Sequence, residues 1–160
     1  MRTNWFFPLL AIFLIVTVVV LTKKFSKTNL VLRKKISFVK TKSKGFALKV
    51  SIFVSAKKYI ERVNIIDRLP PLVKVHERFG AEKPTRVNEK TRRIEWNFEK
   101  LEAGEIRTLT YIIYSEVGVL GKFALPTTTA IYVKDNKIHE AESNRAYFMS
   151  EQGHEPSPQN

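Results

Sequence analysis

The chain has 160 residues, no cysteine, and 28 Lys and Arg against 15 Asp and Glu, a formal charge of +13. Without cysteine there are no disulfides, thiolate nucleophiles or thiolate metal sites, and the length suits a single domain with one core. The charge is one-sided: residues 1 to 58 carry thirteen cations and no acid, whereas residues 59 to 160 carry fifteen of each sign. This argues against a nucleic-acid binder, whose charge would stripe the folded domain itself.

Residues 1–4 are expected to form a short N-terminal tail. From Trp5 to Thr22 the chain reads WFFPLLAIFLIVTVVVLT, 18 residues without a charge. As a helix this segment is roughly 27 Å long, close to the ~30 Å of a bilayer core. Pro8 falls in the first turn, where its missing N–H costs nothing. Trp5 fits one membrane interface, and Lys23, Lys24 and Lys27 fit the other. A cleaved leader would need small residues at alternate positions after the apolar run, and Val20, Leu21, Thr22 and Lys23 do not supply them. The expectation is an uncleaved single-pass transmembrane helix at 5–22, followed by a basic linker at 23–28. Arg33, Lys34 and Lys35 extend this basic collar, and would reach the headgroups if the first strand lay along the membrane.

Beyond Phe25 the pattern changes to alternation, the signature of half-buried strands. Phe46, Leu48, Val50, Ile52 and Val54 share one face, and Ile94, Trp96 and Phe98 share another. A third run places Leu109, Tyr111 and Ile113 together. Further strand candidates are Leu30 to Val39, Arg62 to Ile66, Val73 to Glu77, Lys122 to Leu125, Thr129 to Val133 and Ala146 to Met149. Turn signals separate them at Pro70-Pro71, Glu102-Ala103-Gly104-Glu105, Gly118 with Gly121, Pro126 and Asp135-Asn136. The count is about seven to nine strands, the arithmetic of an all-β sandwich over residues 29–148. Trp96, Ile94, Phe98 and Tyr111 are the expected structural core, the Trp96 indole N–H needing one acceptor. Residues 149–160, with Gly153, Pro156 and Pro158, are expected to form a disordered tail.

Three segments, in order, carry a family resemblance. Val63-Asn64-Ile65-Ile66-Asp67-Arg68-Leu69-Pro70 resembles a V-x-V-x-D-x-L-P strand and turn. Ile94 to Glu105, followed by Leu109-Thr110-Tyr111, resembles an I-x-W-x-L-x-x-L-x-x-G-E core with a following L-x-Y. Val117-Gly118, Leu125-Pro126, Ala130, Tyr132 and Ser143-Asn144 resemble a closing V-G, L-P, A-x-Y, S-N run. Together they are similar to the Ig-like repeat of archaeal and bacterial surface proteins known as domain of unknown function number eleven. The resemblance covers residues 46 to 148. It implies an Ig-like sandwich serving as an extracytosolic spacer, scaffold or adhesion module at the cell envelope, with no catalytic residues to carry over.

Chemistry-bearing patterns are sparse. His76, His139 and His154 lack metal-ligand spacing, and nothing in the spacing brings Asp67, Glu95, Glu140 and Glu142 together as paired carboxylates. No nucleophile elbow, phosphate-cradling loop or H-E-x-x-H motif occurs. The expected function is therefore non-enzymatic, with no cofactor, no metal, no small-molecule substrate and no nucleic acid. The lipid bilayer and a protein of unidentified kind are the partners. Cations following the apolar run argue for a cytoplasmic domain, the family resemblance for an extracytosolic one.

Overall fold

The computed structural model describes residues 28–40, 45–116 and 121–150. The expected anchor at 5–22, its interface residues Trp5, Lys23, Lys24 and Lys27, and the chain beyond Ser150 lie outside these residues. Among the described residues no helix is long and apolar enough to cross a membrane.

The described chain is all-β. In order the strands are β1 (Leu30–Val39), β2 (Phe46–Ala56), β3 (Ile60–Arg68), β4 (Lys74–Phe79), β5 (Arg86–Asn88), β6 (Arg93–Leu101), β7 (Ile106–Ser115), β8 (Gly121–Leu125), β9 (Thr128–Lys134), β10 (Lys137–Glu142) and β11 (Ala146–Ser150). One sheet runs β1-β2-β7-β4, a second runs β10-β9-β3-β6-β5, and β11 pairs with β8 in a third. All pairings are antiparallel.

The two larger sheets share one core. Leu48, Val50, Ile52 and Val54 of β2 and Leu109, Tyr111 and Ile113 of β7 meet Ile60, Val63 and Ile65 of β3 and Ile94 and Trp96 of β6 in a single buried cluster. Alternation puts them there: each strand places every second side chain on one face, and that face is apolar. The small sheet packs at the edge, where Phe46 meets Phe123 at 5.5 Å and Phe148 at 5.9 Å between ring centroids.

Eleven strands among the described residues exceed the seven to nine expected. The additional two are β5, only three residues long, and β10, whose sequence KIHEAE lies along a sheet edge with little buried apolar surface. Neither writes a hydrophobic period strong enough to be read. The last strand also runs past the expected boundary at 148, pairing Met149 with Lys122 and Ser150 with Gly121.

Candidate functional site

The core contains an ionic cluster. Lys34 of β1 sends its side chain between the sheets, where Nζ donates to Asp67 Oδ1 at 2.6 Å and to the Pro126 carbonyl at 2.8 Å. The Tyr111 hydroxyl donates to the other carboxylate oxygen, Oδ2, at 2.6 Å. Both charged side chains have 0% exposure, and Tyr111 is equally buried. The cluster joins the sheets: Lys34 and Tyr111 stand on β1 and β7, and Asp67 on the central strand β3 of the opposite sheet. Two ions in an apolar interior are costly unless paired and hydrogen-bonded. Here the carboxylate has a donor on each oxygen, and two of the three ammonium protons have acceptors.

Burial shapes the protonation of these groups. Desolvation pushes the Lys34 amine below its ordinary value, with the Asp67 charge and hydrogen bond opposing it. The Tyr111 phenol is held well above its ordinary range, first by burial and then by the adjacent carboxylate.

A second layer positions the cluster. Asn144, between β10 and β11, accepts from the Lys34 backbone N–H at 2.9 Å and donates to the Lys34 carbonyl at 3.0 Å. Ser143 Oγ accepts from the Thr128 N–H at 2.9 Å, and the Ser143 N–H donates to the Thr128 carbonyl at 2.9 Å. Thr128 lies across the β-ladder from Asp67. Trp96 packs beside the cluster, its ring 6.1 Å from that of Tyr111, and its indole N–H reaches the Glu82 carbonyl at 3.3 Å. Arg92 pins the diproline loop by donating to the carbonyls of Leu69, Pro70 and Val73.

Of the expected core residues, Ile94, Trp96 and Tyr111 are buried. Phe98 is half-buried, packed against the core from its margin and covered by the Arg107 guanidinium, 5.8 Å from its ring centre. Arg107 is held over it by Glu82 and Glu105. Lys34 corrects the basic collar: Arg33 and Lys35 are exposed, but Lys34 between them is internal and offers no charge to a surface. Its phase carries the signal, since Leu30, Leu32 and Lys34 occupy the same alternating positions of β1. Asp67 likewise follows the inward phase of Val63 and Ile65. Of the carboxylates considered as catalytic pairs, Asp67 is committed to this cluster, while Glu140 and Glu142 are exposed on β10. An open groove of about 380 Å³ lies between β1 and β10, lined in part by Leu32, Tyr132, His139, Glu140 and Glu142. Tyr132 and His139 stack within it at 5.5 Å.

Solved structures share this fold, two of them from one enzyme. The crystal structure of a GH20 exo-β-N-acetylglucosaminidase from Vibrio harveyi in complex with N-acetylglucosamine aligns at a TM-score of 0.50 and 5% identity, covering 80% of this chain and 20% of the enzyme. An inactive mutant of that enzyme aligns at 0.51 with the same identity and coverage. The chain thus corresponds to a fifth of the enzyme's length, and the likeness is one of fold. No protein-family model and no curated protein matches the sequence.

Proposed function

We propose that this chain is a single-pass membrane protein presenting a non-catalytic Ig-like module for structural or protein-interaction roles at the prokaryotic cell envelope. The observation that carries this reading is the enclosure of the Lys34, Asp67 and Tyr111 cluster. Its functional groups face one another and the Pro126 carbonyl rather than a cleft, so their chemistry is spent inside the fold, joining one sheet to the other. The 18-residue apolar run supplies the tether, and the short link before β1 keeps the module close to the headgroups.

The family resemblance favours an extracytosolic module. The alternative is an accessory subunit on the cytoplasmic face of a membrane complex, its basic collar on anionic lipid. The cations between Lys23 and Lys42 favour that reading through the positive-inside rule. Because the sequence has no native cysteine, Ser157→Cys provides a unique label. Modification by an impermeant thiol reagent on intact cells is expected for the extracytosolic module, and protection until lysis would assign the cytoplasmic face instead.

A further inference from the structure

We propose that Lys34 and Asp67 condense to an intramolecular isopeptide bond, with Tyr111 as the catalytic residue, making the contact between the sheets covalent.

The geometry is that of reactants held together. Lys34 Nζ lies 2.6 Å from Asp67 Oδ1, one C–O bond from the carbon it would attack. Both side chains are sealed from solvent, so neither ion is surrounded by the water that ordinarily keeps an amine protonated and a carboxylate inert. Holding nucleophile and electrophile in this way replaces a bimolecular encounter by a unimolecular step. Burial also pushes the amine toward its neutral, nucleophilic form.

The atoms balance without an added reagent. One proton passes from the Lys34 ammonium to Asp67 Oδ1 along their hydrogen bond, leaving an amine and a carboxylic acid. The Nζ lone pair attacks Cγ, forming the C–N bond and moving the carbonyl electron pair onto Oδ2. The Tyr111 hydroxyl already donates to Oδ2 at 2.6 Å, where a preorganised donor stabilises the tetrahedral oxyanion. A second proton passes from nitrogen to Oδ1, the Cγ–Oδ1 bond breaks, and water leaves as the Oδ2 carbonyl re-forms. The remaining N–H is aimed at the Pro126 carbonyl, which accepts from Nζ at 2.8 Å. Hydrolysis would have to bring water back into the closed core.

The position of the bond gives it a use, and this part rests on the anchored reading above. Among the described residues β1 is an edge strand of its sheet and the first strand after the apolar run. Force passing between membrane and module would enter at β1, which has one neighbouring strand in its ladder, β2. A bond from Lys34 to Asp67 ties β1 to the middle of the opposite sheet.

Mass spectrometry of the full-length chain in detergent tests the bond whatever the domain's sidedness. The expected result is a protein lighter by one water than its sequence, with proteolysis yielding a branched peptide that joins the Lys34 and Asp67 fragments. Lys34→Arg and Asp67→Ala are expected at full mass. Asp67→Asn is expected to react with loss of ammonia, and Tyr111→Phe to form the bond about 100-fold more slowly. Folded wild-type protein whose Lys34 and Asp67 peptides are both linear would overturn the proposal. Equal rates of bond formation in wild type and Tyr111→Phe would remove Tyr111 from the catalytic role.

Discussion

Asn144 grips the backbone of Lys34 from both sides, its Oδ1 accepting the N–H and its Nδ2 donating to the carbonyl. β1 is an edge strand, and one side chain here satisfies the ladder groups on its open side that could otherwise pair with a foreign strand. The grip falls at the residue whose side chain enters the core, so it fixes the register of β1 where register matters most. Asn144→Ala is expected to destabilise the fold by about 1–3 kcal/mol, since two partly buried backbone groups lose their partners. Thermal melting measures the loss, and hydrogen exchange should show it concentrated in β1. Unchanged protection of β1 would count against the grip.

Tyr111 gives the fold a dependence on alkaline pH. Its folded pKa lies well above the ordinary 10.0, so the unfolded chain releases this proton first as pH rises. The stability linked to this group is therefore fully present below pH 10.0 and is lost as pH climbs from there toward the raised value. Unfolding followed at successive pH values should show stability falling above that point. In Tyr111→Phe the fall should be shallower, alongside a loss of about 1–3 kcal/mol at neutral pH from Asp67 Oδ2 left without its donor. Parallel pH curves for the two proteins would contradict this assignment.

Much of the fold was legible because its central strands alternate cleanly: β2, β6 and β7 each write a period of two in large apolar residues. β5 and β10 were not legible, being short or polar edge elements held by their neighbours' ladders. The cluster was half legible. Lys34 sits in phase with Leu30 and Leu32, and Asp67 with Val63 and Ile65, so each strand marked a charged residue as inward. What alternation does not contain is which inward charge meets which, because that depends on how one sheet lies across the other. Lys34 also stands between Arg33 and Lys35, where a run of cations looks like solvated surface. Asn144 was visible only within the Ser143-Asn144 pair of the family resemblance, without the physical role its amide plays.

Trp96 is the largest fully buried side chain among the described residues, and its ring packs beside Tyr111 across the sheets. Trp96→Ala is expected to cost about 3–5 kcal/mol through the lost burial and the cavity left behind. Trp96→Phe should lose less, keeping an aromatic ring but giving up the indole bond to the Glu82 carbonyl. Equilibrium unfolding of both variants checks the order, and a Phe variant as unstable as the Ala variant would contradict it.

The structural role of the cluster is tested most directly by the stability of Asp67→Leu, Lys34→Met and the double variant, compared as full-length chains by thermal melting in detergent. Each single change leaves a buried charged partner behind and is expected to cost about 3–5 kcal/mol, whereas removing both leaves only the neutral Tyr111 hydroxyl and Pro126 carbonyl beside an apolar contact. The expected result is a double variant more stable than either single variant. Losses that simply add would show that Lys34 and Asp67 stabilise the fold independently, and would contradict the cluster as the join between its sheets.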